Sequence, residues 1–162
     1  MTRTFMTLLS AGALATIAFD AFGQGLSPLL GYAKLAPVGL ATGTLKQVFG
    51  AAPSGSGYLL HMFTGLFAYT LGYFLVARPV QRIVMPALHW SITAAVYGII
   101  LWVFALYVMA HLVVGMPAFL GFTGITWVAL VGHVLFALVA AAVIEGQGAR
   151  FDLPRPRRVA LG

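Results

Sequence analysis

The 162-residue chain contains no cysteine and only three acidic residues. Without cysteine it has no disulfide, no thiolate ligand and no thiol nucleophile, which excludes cysteine-based zinc and iron–sulfur sites. Charged residues make up only 7% of the chain, whereas 61% of its residues are hydrophobic and its mean hydropathy is +0.99. This balance excludes an ordinary soluble domain and predicts an integral membrane protein.

Recognised catalytic motifs are missing as well. The sequence has no nucleophile elbow, phosphate-binding loop, pair of neighbouring catalytic carboxylates or zinc-protease spacing. It also shows no paired broken-helix repeat of the kind found in secondary transporters. We therefore expect a protein that is not an enzyme.

Four apolar segments, at about residues 5–23, 57–77, 84–114 and 118–145, are each long enough to cross a bilayer. They are continuous apolar runs and lack the alternation that strands of membrane β-barrels show. The sequence therefore predicts an all-α, polytopic bundle of four transmembrane helices. The bundle forms a single domain over residues 1–145, and a basic tail follows at 146–162. Between the first two segments, Pro37 opens a short predicted helix to about Phe49 at the membrane surface.

Basic residues give the orientation. Arg78 and Arg82 flank Pro79 in a predicted tight aqueous turn, on the same side as Arg3 and the arginines of the tail. Only two lysines, at positions 34 and 46, fall on the other side. The excess of positive charge predicts that both termini are cytoplasmic. Because basic residues cluster at helix ends rather than along one face, we expect the lipid bilayer as a partner and no nucleic acid.

The first segment has a second interpretation. Arg3, the apolar run and the small residues Ala21 and Gly23 before Gln24 resemble a secretory signal with its cleavage site. The run is, however, rich in alanine, serine and glycine, which suits close helix packing better than a signal core. We therefore expect it to remain as the first helix.

Four histidines lie within or at the edges of the apolar segments: His61, His89, His111 and His133. A titratable ring in hydrocarbon needs a partner, so these residues are functional candidates. Helical phase and topology predict that His61 and His111 lie near the outer surface with Asp20, each on a different helix. His133 is expected near the middle of the fourth helix and His89 on the cytoplasmic side.

The outer group fits three kinds of site. His61 and His111 at matched depth are what bis-histidine ligation of a b-type haem requires, with His133 as a weaker cofactor ligand. Joined by Asp20, the same two histidines suit a divalent metal. A proton relay through Asp20, His61 and His111 is the third alternative. A structural or interfacial role for the rings is the interpretation that we favour over all three.

Small residues follow the same helical period. Gly12, Thr16, Asp20 and Gln24 form one stripe down the first helix. His61 shares a face of the second helix with a glycine-rich stripe that permits close approach of a neighbouring backbone. These faces predict tight packing and favour a homo-oligomer or a subunit of a larger membrane complex.

Three short motifs carry a family resemblance: Gly57-Tyr58-Leu59-Leu60-His61, Met109-Ala110-His111 and Val131-Gly132-His133. Over residues 57–145 the chain resembles the YagU-type family of small bacterial inner-membrane proteins. In that family one histidine opens a helix, a second closes the next and a Gly-His pair lies in the last. The resemblance implies a multi-helix inner-membrane protein linked to acid tolerance, with no assigned cofactor. Asp20 and His89 lie outside the matching motifs.

The sequence thus favours a small, non-enzymatic protein of the bacterial inner membrane that acts as a structural or accessory subunit, or in acid tolerance. The alternative is an electron-transfer protein that binds b-type haem or a metal through His61 and His111.

Overall fold

A computed structural model describes residues 2–148 of the chain, and across that range the only regular structure is helical. Residues 149–162, which include most of the predicted basic tail, lie outside it. The described chain forms five main helices: α1 Thr2–Leu29, α2 Pro37–Phe49, α3 Ser56–Val84, α4 Trp90–Val113 and α5 Gly124–Gly146. All except α2 are long and apolar enough to cross a membrane. The predicted all-α four-helix membrane bundle is confirmed.

Helix α5 holds the bundle together because it packs against both α1 and α4. Helix α1 also packs against α3, and α2 lies across the start of α3 and the end of α4. Glycine permits the closest approaches. A Cβ atom on Gly98 would lie 2.6 Å from the Cα of Val134, and one on Gly12 would lie 2.7 Å from the Cα of Leu66. The predicted small-residue stripe of α1 therefore faces α3.

The predicted aqueous turn around Pro79 is wrong. Helix α3 continues through it to Val84, although a proline ring normally clashes with the carbonyl four residues earlier. A wider, π-type turn over Tyr73–Ala77 comes directly before Arg78 and Pro79, and we attribute the continuity of the helix to it.

Arg78 is buried with 6% of its surface exposed, and it is not in water as the predicted turn requires. Its Nε donates to Glu145 Oε1 at 2.7 Å and its Nη2 to Oε2 at 3.1 Å. Arg82 reaches the same carboxylate at 3.3 Å. Glu145, near the end of α5, thereby ties α5 to α3.

The fourth membrane helix begins at Gly124 and not at residue 118 as predicted. Phe119, Leu120, Gly121 and Phe122 all have positive φ angles, between 49° and 72°, which a right-handed helix cannot contain. This conformation costs about 1–2 kcal/mol for each residue with a side chain. Contacts from outside the segment offset the cost, because its rings join an aromatic cluster and its backbone carbonyls accept hydrogen bonds from downstream threonines.

The contact at Gly98 generates a first prediction. Gly98→Ala should lower the free energy of unfolding by about 2 kcal/mol, because the new methyl group meets backbone atoms of α5 that cannot rotate away. Gly25→Ala is the matched control, since no atom lies within 4 Å of that position. Reversible unfolding in mixed detergent micelles measures both variants. A Gly98→Ala protein as stable as the wild type would contradict the packing described.

The ion pair generates a second prediction. Arg78→Gln should lower the free energy of unfolding by about 3 kcal/mol, because it leaves a carboxylate facing apolar helices without its main partner. Arg82→Gln removes a side chain that is 55% exposed and should cost under about 1 kcal/mol. The same unfolding measurement compares the two. Equal losses of unfolding free energy in the two variants would show that the burial of Arg78 does not strengthen its contribution to stability.

Candidate functional site

Asp20 and His61 face each other across α1 and α3. His61 Nε2 lies 3.0 Å and 3.1 Å from the two carboxylate oxygens of Asp20, and Gln24 Nε2 donates to Oδ1 from one turn further along α1. Because a carboxylate only accepts, Nε2 of His61 carries the hydrogen. The side chain of His61 is 13% exposed and that of Asp20 is 27% exposed, so the pair is largely shielded from water. Gly65 allows this approach because it has no side chain, and a Cβ atom at this position would overlap the hydroxyl of Thr16 on α1.

His133 is more deeply buried, with 6% of its surface exposed. Its Nδ1 lies 2.7 Å from the carbonyl oxygen of Ala129, one turn earlier on α5. A carbonyl cannot donate, so Nδ1 carries the hydrogen and, in the neutral ring, Nε2 keeps its lone pair. Among residues 2–148, Nε2 has no hydrogen-bond partner.

Phe19 connects the two histidines. Its ring centroid lies 5.1 Å from that of His133, edge to face, and 6.2 Å from that of His61. Phe19 itself packs against Gly132, which leaves room for the ring because it has no side chain. One apolar ring thus separates a polar pair on one side from an unpaired imidazole nitrogen on the other.

Both histidines line a cavity of about 600 Å³ between the helices, which is partly open to the outside of the protein. Cavities of this size commonly bind small molecules. Helices α1, α2, α3, α4 and α5 all contribute to the wall, as do Leu35 before α2 and the strained segment before α5. Apart from the histidines and Tyr69, the wall is almost wholly apolar, and its threonine hydroxyls donate to backbone carbonyls of their own helices. The cavity therefore suits an apolar molecule with a small polar group.

Wide π-type turns border this cavity. The stretches Thr64–Tyr69 in α3 and Phe104–Val113 in α4 both supply lining residues. Such turns widen a helix by one residue per turn and concentrate at functional sites in other proteins. Here they shift the side chains of α3 and α4 along the cavity wall.

The remaining histidines lie elsewhere. His111 Nδ1 donates to the carbonyl of Met116 at 2.7 Å, its ring packs against Tyr107, and it does not line the cavity. His89 precedes α4, and its Nδ1 accepts from the backbone and hydroxyl of Ser91, which makes it a helix cap. Within residues 2–148 no three His, Asp or Glu side chains gather closely enough to hold a metal ion. The structure thus pairs Asp20 with His61 but does not join His111 to them.

Sequence reasoning missed two residues of this site. Neither Phe19 nor Tyr69 is among the site residues that the sequence predicts, yet both lie in the cavity wall. A signal for Phe19 was available, because it directly precedes Asp20 and projects to the same end of α1. Tyr69 follows His61 by eight positions on α3, which places it on the same helical face.

Comparison with protein-family models, with curated proteins and with solved structures finds no match to this chain. The resemblance to the YagU-type family therefore stays a prediction.

The Asp20–His61 pair generates a third prediction. Asp20→Asn and His61→Gln should each lower the free energy of unfolding by about 2 kcal/mol, because each weakens a charge-assisted hydrogen bond shielded from water. The double variant should lose about 1.5 kcal/mol less than the sum, because the second change removes a contact already weakened. Gln24→Ala serves as the control and should cost under about 1 kcal/mol. Additive losses would show that the two side chains do not interact.

Proposed function

We propose that this chain is a non-enzymatic accessory protein of the bacterial inner membrane that binds a lipophilic molecule inside its helical bundle. The observation that supports the proposal is the cavity of about 600 Å³, whose wall is apolar except at a few defined side chains. Within a bilayer such a wall gives an apolar ligand the close packing of a preformed site, and its few polar side chains offer hydrogen bonds that lipid tails lack. No catalytic group is required for such a role.

The distribution of charge supports an orientation. Thr7 bonds to Gln147, so the start of α1, the end of α3 and the end of α5 lie at one end of the bundle. That end carries Arg78 and Arg82, and the opposite end carries Lys34 and Lys46. Arg3 at the start of α1 and the four arginines that follow Gly148 in the sequence are further positive charges, and this excess supports the proposal that both termini are cytoplasmic.

Haem binding through His61 and His111 is a weaker candidate. His61 Nε2 is engaged by Asp20, and His111 lies outside the cavity with its ring held by Met116. The acid-tolerance role rests on the family resemblance. Assembly with further copies or with a larger complex rests on the exposed apolar residues of the membrane helices, which lipid covers equally well.

Filling the cavity generates a fourth prediction. Ala68→Phe places a ring at an exposed position of the cavity wall and should weaken displaceable binding of the apolar dye Nile red at least about tenfold. Ala142→Phe, at an exposed position of α5 that does not line the cavity, is the matched control and should bind the dye like the wild type. Fluorescence titration of the chain in lipid nanodiscs measures all three proteins.

Unchanged dye binding by Ala68→Phe would contradict the proposal. An absorption spectrum of the protein purified from its native membrane accompanies the titration. A Soret band in this spectrum would show that the bound molecule is haem and not another lipophilic molecule.

A further inference from the structure

The unpaired nitrogen of His133 gives the cavity a chemical preference. The ring is fixed on three sides, by the Ala129 carbonyl, by Phe19 and by Tyr69, whose ring centroid lies 6.3 Å away. The two nitrogens of an imidazole point in widely different directions. Since Nδ1 is held by the ring's own helix, Nε2 is the ring nitrogen that is left for a ligand in the cavity that His133 lines. A ligand that fills the cavity covers this nitrogen, and covering an acceptor without giving it a partner is unfavourable, so a ligand that donates a hydrogen bond there is favoured.

Tyr69 adds the complementary group. Its backbone carbonyl accepts from the Tyr97 hydroxyl at 2.7 Å, but within the described residues its own hydroxyl makes no hydrogen bond. Tyr69 lines the cavity beside His133. A phenolic hydroxyl donates one hydrogen bond, so Tyr69 can supply a donor to a ligand that meets the acceptor of His133.

Aromatic rings surround the same corner. Phe104 and Phe136 contact Tyr69 edge to face, with ring centroids 6.4 Å and 5.9 Å apart, and both line the cavity. Aromatic walls of this kind favour an aromatic guest through offset and edge contacts. An anionic head is disfavoured, because the carboxylate of Asp20 lies at the nearby His61 and the rest of the wall is apolar.

We infer that the cavity binds a lipophilic phenol, a molecule with a hydroxylated aromatic head and an apolar tail. This inference rests on the proposed function. The hydroxyl donates to Nε2 of His133 and accepts from the hydroxyl of Tyr69, which an ether or a carbonyl group cannot both do. The aromatic head lies among Phe19, Phe104 and Phe136, and the tail occupies the apolar remainder of the cavity.

Two probes that differ in a single donor test this inference. 4-Octylphenol carries the hydroxyl, and 4-octylanisole replaces its hydrogen with a methyl group. Each probe displaces Nile red from the chain in lipid nanodiscs, and the Ala68→Phe protein supplies the background from partitioning into lipid. The wild type should bind the phenol about tenfold more tightly than the anisole, as expected for one hydrogen bond to a buried acceptor. 4-Octylcyclohexanol, which keeps the hydroxyl but lacks the aromatic ring, should bind more weakly than the phenol.

Variants assign the two hydrogen bonds. His133→Phe keeps a ring against Phe19 but removes the acceptor, so it should weaken the phenol alone and bring the two probes within about threefold. Tyr69→Phe removes a donor that both probes accept from, so it should weaken both to a similar extent. His111→Phe, outside the cavity, is the control and should preserve the tenfold preference.

The outcomes separate the two proposals. If neither phenol nor anisole displaces the dye, the lipophile-binding function itself fails. If both bind equally well to the wild type, the cavity binds lipophiles but the assignment of a phenol is wrong. If 4-octylcyclohexanol binds as tightly as 4-octylphenol, only the assignment of an aromatic head is wrong. The comparison of probes on the wild type needs no substitution, so misfolding of a variant does not affect it.

Discussion

A polar side chain within an apolar bundle must find its partner inside the protein, because hydrocarbon supplies none. The arrangement of this bundle follows from that constraint. At one end Arg78 of α3 meets Glu145 of α5, and towards the other Asp20 of α1 meets His61 of α3. Each pair joins two helices that are distant in sequence, so together they fix the heights at which α1 and α5 meet α3. Glycine at the contacts then lets the backbones approach closely enough for the pairs to form.

Two polar groups of residues that line the cavity do not find a partner in this way. The threonine hydroxyls of the wall are satisfied by their own helices, and one nitrogen of His133 is satisfied by Ala129. The other nitrogen of His133 and the hydroxyl of Tyr69 are not satisfied within the described chain. The buried hydroxyl oxygen of Thr93 also has no partner among the described residues. His133 and Tyr69 line the cavity, whereas Thr93 does not, so a ligand in the cavity can pair with the first two residues.

The sequence predicts those features that depend on local period. Apolar length identifies the membrane helices, and the four-residue spacing that includes Asp20 predicts the face of α1 that meets His61. It does not predict features that depend on distant contacts. Pro79 is typical of a turn, and its place inside α3 depends on the wide turn before it. Depth and phase place His111 with the outer group, but the carbonyl of Met116 holds its ring elsewhere. A cavity between five helices has no local pattern at all.

Whether the bundle holds a lipophilic molecule is tested most directly by native mass spectrometry of the protein released gently from its own membrane. We expect a bound species of a few hundred daltons that survives release, is extracted by organic solvent and is absent from the Ala68→Phe protein. A wild-type spectrum with only the bare chain and exchangeable phospholipid, identical to that of Ala68→Phe, would contradict the proposal.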